Sequence, residues 1–229
     1  MNLFTIILLL IIISIIIWIL ISYRFRKYIK KYIKKLNMLW KKNVILPTSW
    51  KKYLGNNNLI ISNACYKGYI DNSYAIINSP VEFVELFNIF PITSKDQLLD
   101  IGSGIGLMCF AFKKRYNFGK VIGVELNKRS YKCSLKNLQI MNMNNIEFVN
   151  KSIFDYNIPS SITYIYIFNP FSHNSELFEK LINKCSSRKN LTMIWMNIYI
   201  NNKMRKILAN KCKSVQYGFK EFRYIIIKF

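Results

Sequence analysis

The 229-residue chain has a single histidine, His173, and that scarcity removes several kinds of chemistry. A multi-histidine metal site cannot be assembled from it, and a hydrolytic triad would have to use His173 itself as base, with no second histidine to draw on. Cysteine is sparse too: Cys65, Cys109, Cys133, Cys185 and Cys212 are an odd five without a Cys-x-x-Cys pair. That spacing encodes neither a disulfide framework nor a zinc cluster, and a reducing compartment is expected for the globular part. Acidic residues number 11 against 34 Lys and Arg, a formal net charge of +23. Such a balance ordinarily points to an anionic partner, nucleic acid or lipid headgroups. Two features temper it. Ile, Lys and Asn number 38, 27 and 26, residue types with A- and T-rich codons, so part of the charge follows the base composition of the gene. The charge is also uneven, since residues 24–55 hold 11 basic and no acidic residues. With 52% hydrophobic and 20% charged residues the chain can offset the entropy of ordering, which excludes a disordered polymer. Its length suits one domain of about 150 to 200 residues with an appendage.

The appendage is at the start. Leu3 to Ile21 are 19 uncharged residues, 16 of them Leu, Ile or Phe, the others Thr5, Ser14 and Trp18. At 1.5 Å per residue this is about 28 Å of helix, and at roughly −0.5 kcal/mol per apolar residue it favours the bilayer by about −8 kcal/mol. A cleaved signal peptide needs a basic start, a shorter apolar run and small residues at the cut site. Met1-Asn2 and Tyr23-Arg24-Phe25-Arg26 provide none of these, so residues 1–22 read as an uncleaved transmembrane anchor. Arg24, Arg26, Lys27, Lys30, Lys31, Lys34 and Lys35 follow at once, which places the rest of a single-pass protein on the cytoplasmic side.

Beyond the span, Phe25, Tyr28, Ile29, Tyr32, Ile33, Leu36 and Leu39 or Trp40 recur at three- and four-residue spacing with lysines between them. That is a basic amphipathic helix. It suits anionic lipid headgroups along residues 24–42, at about 1 kcal/mol per cation near the surface, with a linker helix packed on the domain behind it as the alternative. Pro47 and Asn56-Asn57-Asn58 break it, so residues 23–58 form the juxtamembrane segment and residues 59–229 the globular domain.

Within the domain, Leu98-Leu99-Asp100-Ile101 predicts a buried strand, Gly102-Ser103-Gly104-Ile105-Gly106 a tight turn, and Leu107 to Tyr116 a helix. Val121 to Val124 is a second strand, closed by Glu125. A strand-helix-strand unit with an acid after its second strand belongs to nucleoside-binding, doubly wound sheets. The dinucleotide pattern G-x-G-x-x-G would need glycine where Leu107 stands, and no Gly-Lys-Ser or Gly-Lys-Thr follows for a phosphate loop.

The pattern Asp-x-Gly-x-Gly-x-Gly, Asp100 to Gly106, resembles motif I of class I S-adenosylmethionine-dependent methyltransferases, and the resemblance extends over roughly Tyr74 to Phe229. It implies a Rossmann-like α/β fold, a seven-stranded methyltransferase sheet with helices on both faces, and S-adenosyl-L-methionine as cofactor. Gly102, Ser103, Gly104 and Gly106 would let the backbone approach it, Asp100 would face its ammonium through water, and Glu125, with Leu126 beside it, would accept both ribose hydroxyls. After the third strand, Ile146 to Val149, relatives often carry Asp where Ser152 stands. Adenine is then left to the Ser152 hydroxyl, to Asp155, or to the backbone of Ile153 with apolar packing that includes Phe154. Tyr164 to Phe168 reads as the fourth strand, and Asn169-Pro170-Phe171 at its carboxyl end is similar to the family's motif IV, beside the departing methyl group. Asn169 and the Pro170 carbonyl would accept hydrogen bonds from an amine nucleophile, and Phe171 would wall the cleft. The second proline of the adenine- and glutamine-modifying members is missing. His173 reads as a helix-start or solvent residue rather than a base.

A helix from Ser175 to Cys185, a strand from Leu191 to Met196, a helix from Lys203 to Cys212 and a closing hairpin turning at Gly218 complete the expected sheet. Ser79-Pro80, before a helix near Pro80, and Gly123-Val124-Glu125-Leu126-Asn127 resemble the small membrane-bound protein lysine methyltransferases. The reading is therefore a membrane-anchored methyltransferase acting on a protein lysine, with no metal. A methyltransferase for a lipid or small hydrophobic molecule, and a membrane tether whose fold has lost turnover, are the alternatives. Nucleic acid ranks below these as a partner, because the densest charge lies beside the bilayer and no recognition module is present.

Overall fold

Short apolar runs separated by asparagine and glycine set the architecture of the globular part. The computed structural model of the chain describes Trp50 and residues 53–55, 59, 81–168, 174–219 and 223–229. All of them lie in one compact unit, Ile45–Phe229. The expected anchor at 1–22 and most of the juxtamembrane stretch lie outside the described residues, as do Asn169, Pro170, Phe171 and His173. From that stretch Trp50, Tyr53 and Leu54 are buried, and the Tyr53 hydroxyl donates to Glu85 Oε1 at 2.6 Å, so its end packs within the globular unit. Among the described residues no helix is long and apolar enough to cross a membrane.

The strands are β1 (Gln97–Ile101), β2 (Lys120–Val124), β3 (Ile146–Val149), β4 (Tyr164–Phe168), β5 (Thr192–Met196), β6 (Ser214–Phe219) and β7 (Arg223–Lys228). They form one seven-stranded sheet in the order β3-β2-β1-β4-β5-β7-β6. The first five are parallel, and β7 inserts antiparallel between β5 and β6. Chain order reverses at β1, which pairs β2 on one side and β4 on the other. Ligands of open α/β sheets bind at that switch point, beyond the strands' carboxyl ends.

The helices are α1 (Leu107–Arg115), α2 (Lys128–Met141), α3 (Ser175–Cys185) and α4 (Asn202–Lys211), preceded by a 3-10 helix at Val81–Ile89. The helix expected near Pro80 is thus wound more tightly than an α-helix. Alternate residues of each strand serve the two faces. Leu99, Ile101, Ile165, Ile167, Met193, Trp195, Ile225 and Ile227 join Phe178, Leu181 and Ile182 of α3 and Met204 and Leu208 of α4 in one core. On the other face Phe87 of the 3-10 helix meets Phe112 of α1, Phe118, Tyr164 and Tyr166, with ring centroids 4.5 to 6.3 Å apart. Burial of these rings and aliphatic chains, at about 25 cal/mol per Å² of apolar surface, is what holds helices to sheet.

The abundant asparagine has structural uses. Asn127, Asn174 and Asn201 cap α2, α3 and α4 by accepting from backbone N–H groups of the first turn. Asn142, Asn145, Asn190 and Asn197 take positive φ at turns, a conformation asparagine tolerates better than most residues. By contrast α1 opens from Gly106 without a side-chain cap. The connection 150–163 contains turns and no helix. Cations spaced four residues apart on and after α3 strap it instead. Lys184 Nζ donates to the Phe154 carbonyl at 3.2 Å, and the Arg188 guanidinium to the carbonyls of Ile158, Pro159 and Ile162 at 2.9, 2.6 and 3.3 Å. Cys109, Cys185 and Cys212 are free thiols, whereas Cys133 on α2 is disulfide-bonded, which the odd count and wide spacing did not indicate.

Candidate active site

The carboxyl ends of β1 and β2 carry the two acids that the sequence singled out. Asp100 and Glu125 are 3% and 1% exposed, close to the loop that joins β1 to α1. That loop folds back on β2, with the N–H groups of Gly102 and Ser103 donating to the Val124 carbonyl at 2.8 and 3.2 Å. Gly102 has φ +78, and a methyl group added to it would meet nothing within 4 Å, so this bend borders open space. Gly106 serves a different end. At φ +89 it starts α1, and an added methyl group would lie 2.5 Å from the Phe148 ring. Gly123 on β2 yields to the same ring, at 2.6 Å. The first glycine therefore keeps a surface clear, while Gly106 makes room for the core.

Glu125 is fixed by the backbone around it. Its Oε2 accepts from Gly104 N–H at 2.8 Å and its Oε1 from Asn127 N–H at 2.6 Å. Charge-assisted bonds of this kind are roughly twice as strong as neutral ones, and here they tie the glycine loop to the turn before α2. Asp100 accepts from the Cys109 thiol on α1, Sγ to Oδ2 3.3 Å. Burial pushes the Asp100 carboxyl up from 3.8 to about 7, the thiol works against this, and the nearby Glu125 charge adds to it. The Cys109 thiol is itself raised well above its ordinary value, by burial and then by Asp100, so it is a donor here and not a nucleophile.

Leu126 follows buried Glu125 yet is 72% exposed, an apolar side chain at the rim of the loop. Ser103 Oγ is buried without a hydrogen-bond partner among the described residues, beneath the loop against Gly123. Asp100, Gly102, Ser103, Gly104, Glu125 and Leu126 are thus brought together. The third-strand candidates are less uniform. Ser152 Oγ accepts from Phe154 N–H at 3.2 Å within a turn, and Asp155 is exposed. The Ile153 side chain lies in the core with α3 and α4, and Phe154 packs against that core with Lys180 Nζ 4.7 Å from its ring centroid. The Ile153 side chain thus serves the fold, which leaves its backbone, the part expected to meet adenine, and the partly buried Phe154 ring beside it.

Residues 84–228, more than half of the chain, match the family model of the methyltransferase small domain. The chain belongs to that methyltransferase family. Its fold is that of class I S-adenosylmethionine-dependent methyltransferases. A putative S-adenosylmethionine-dependent methyltransferase from Methanococcus maripaludis superimposes with a TM-score of 0.52 at 16% identity, covering 66% of this chain and 85% of its own. The magnesium protoporphyrin IX methyltransferase of Synechocystis, solved with bound S-adenosylmethionine, gives 0.53 at 15% identity, covering 72% and 88%. Among curated proteins, an rRNA adenine N-6-methyltransferase of Limosilactobacillus reuteri is 24% identical over 117 residues, 51% of this chain and 46% of the relative. The chain spans about half the length of that relative.

Three residues beside the candidate site carry no motif signal. Cys109 fills the space beside Asp100, and Asn137 on α2 donates from Nδ2 to the Ile105 carbonyl at 3.1 Å, bracing the glycine loop from outside. Ser130, Ser134 and Asn137 form a buried polar stripe on α2 at helical spacing, the one pattern that could have drawn attention to it. Asn150, just past β3, reaches the backbone at Glu125 and Leu126. Among the described residues no group of His, Cys, Asp and Glu is arranged to hold a metal ion.

Proposed function

We propose that the protein is an S-adenosylmethionine-dependent methyltransferase tethered to a membrane by residues 3–21, with its domain on the cytoplasmic side and an amine nitrogen of a protein lysine as acceptor. The observation that carries the activity is the pair of buried acids, Asp100 and Glu125, flanking a glycine bend open to space at Gly102. The residues fit the cofactor. Among the described residues the groups that set the Asp100 equilibrium include no cation, so an ammonium arriving there would return it to its charged form. Glu125, already oriented by two backbone donors, presents a carboxylate to ribose hydroxyls. Exposed Leu126 offers an apolar surface to the adenine ring. The cofactor, when bound, supplies the methyl group from its sulfonium centre. The chain's part is to hold the nucleophile in line with it. That task is assigned to Asn169 and the Pro170 carbonyl, with Phe171 walling the cleft, because in the sequence these residues come directly after β4, and ligands of such sheets bind beyond the strands' carboxyl ends.

The lysine assignment rests on the apolar N-terminal run, Ser79-Pro80 and the Gly123–Asn127 segment. A second reading, an adenine of RNA as acceptor, is favoured by the curated relative named above. The test uses full-length protein in detergent with S-adenosyl-[methyl-³H]methionine and a membrane extract separated into protein, RNA and lipid. Label in protein, lost with Asn169→Ala by about 30- to 1,000-fold at unchanged S-adenosylhomocysteine affinity, supports the first reading. Label in RNA replaces it with the second. Absence of S-adenosylhomocysteine binding refutes both, and release of the protein by carbonate refutes the tether.

A further inference from the structure

Glu125 and Leu126 are neighbours in sequence with opposite fates, 1% and 72% exposed. The chain bends at Leu126, and on the reading above each serves a different part of the same ligand, the carboxylate the ribose and the leucine the adenine. Their relative orientation is set by the peptide that joins them. Along β2 the ladder with β3 ends at Glu125, whose N–H donates to the Val149 carbonyl at 3.0 Å. The next residue on the β3 side is Asn150. Its side-chain amide donates from Nδ2 to two carbonyls in succession, Glu125 at 2.8 Å and Leu126 at 3.1 Å. One amide thus extends the pairing of the two strands past the point where backbone bonds stop, and grips both residues at once.

We infer that Asn150 is a positioning residue for the adenosyl part of the cofactor. It holds the Glu125–Leu126 peptide so that the carboxylate stays aimed at the ribose hydroxyls. This rests on the methyltransferase reading. The Glu125 carboxylate is already held at Gly104 and Asn127 N–H, so a backbone that swings freely at 125–126 would pull against those bonds. Asparagine suits the task because its Nδ2 carries two hydrogens, one for each carbonyl. Aspartate at the same place would present only acceptors to two carbonyl oxygens.

The test is a cycle between protein and ligand, read by calorimetry on full-length protein in detergent. S-adenosylhomocysteine and its 2′,3′-dideoxy analogue are titrated into wild type, Asn150→Ala and Asn150→Asp. Both variants are expected to bind S-adenosylhomocysteine about three- to tenfold more weakly, the effect of losing the hydrogen bonds that orient the ribose acceptor. Against the dideoxy analogue, which has no hydroxyl for Glu125 to receive, the same substitutions should change affinity by less than about twofold. An equal penalty with both ligands overturns the inference, since it means that Asn150 merely supports the fold. Wild-type affinity in Asn150→Asp, which keeps the shape and removes both donors, overturns it as well. Should thermal denaturation show that either variant is unfolded, Asn150→Ser, which retains one shorter donor, takes its place with the same two ligands and an intermediate loss expected. If wild type binds neither ligand, the methyltransferase reading falls and this inference with it, whereas wild-type binding with unchanged variants removes Asn150 alone.

Discussion

Replacing Asp100 by asparagine should make the free protein more stable and its cofactor site weaker, two effects of opposite sign from one buried atom pair. The Asp100 carboxyl is fully enclosed and its pKa rises from 3.8 to about 7, chiefly through burial. Because the folded-state value lies above the unfolded one, the folded protein retains a proton that the unfolded chain has already released between pH 4 and 7. The stabilisation lent by that proton is complete below about pH 4 and is lost as pH rises through 7. Three units at 1.36 kcal/mol each make about 4 kcal/mol over the whole window, of which about 2 to 3 kcal/mol falls between pH 5 and 8. Asparagine has the same shape, can still accept from the Cys109 thiol, and has no charge to desolvate. The wild type should therefore lose about 5 to 10 °C of melting temperature between pH 5 and 8 relative to Asp100→Asn, at roughly 2 to 4 °C per kcal/mol. Binding should run the other way. If the ligand's ammonium needs the ionised carboxylate, wild-type affinity for S-adenosylhomocysteine should rise about tenfold from pH 6 to 8, following the ionised fraction, while the variant stays flat and about tenfold weaker at pH 8. Scanning calorimetry and ligand titration on the same preparations provide both numbers. Parallel melting profiles for the two proteins would refute the buried-charge argument, and a pH-independent wild-type affinity would detach Asp100 from the ammonium.

Glu125→Gln keeps the size of the side chain but turns one acceptor into an NH₂ group facing a backbone N–H of Gly104 or Asn127. The free protein should lose about 1 to 3 kcal/mol, measured by denaturant unfolding, in addition to any loss of ligand affinity. Unchanged stability would mean that the carboxylate does not tie the glycine loop to the α2 turn. Arg188→Ala removes a guanidinium shared by three carbonyls of the helix-free connection after β3. A loss of about 1 to 3 kcal/mol and faster proteolytic cleavage within residues 154–162 are expected, with Arg188→Lys recovering less than half because an ammonium lacks the planar fork. Cleavage at the wild-type rate would show that the connection is held by its own packing.

The elements most legible in the sequence were those whose signal is local. β1, β2, β3 and β4 are short apolar runs, and each was placed to within a residue because a buried parallel strand needs little besides contiguous β-branched and aromatic side chains. Asp100, the glycine loop and Glu125 were legible for the same reason, since one strand-turn-helix-strand unit confines them to 26 consecutive positions. The role of each glycine was not. Gly102 and Gly106 look alike in the pattern, yet one borders open space and the other accommodates Phe148, a residue 42 positions away. Nor could the sequence tell that the Ile153 side chain joins the core with α3 and α4, because an apolar residue beside a nucleoside site and one beneath it are indistinguishable until α3 is in place.

By itself the sequence determined the alternation of strand and helix, the glycine turn, the two acids and a hairpin that ends the sheet, all features written within windows of a few residues, but it put the hairpin's turn at Gly218, which lies within β6 opposite Tyr224 of β7. Only the tertiary structure decided that the Glu125 carboxylate holds the loop of Gly104, that Cys109 lies against Asp100, and that Asn137 and Asn150 grip backbone carbonyls 32 and 25 residues away. A hydrogen bond from a side-chain amide to a distant carbonyl leaves no trace in composition or periodicity, because the carbonyl is common to every residue. In a chain with 26 asparagines the two that brace the site are told from the rest by where the sheet puts them.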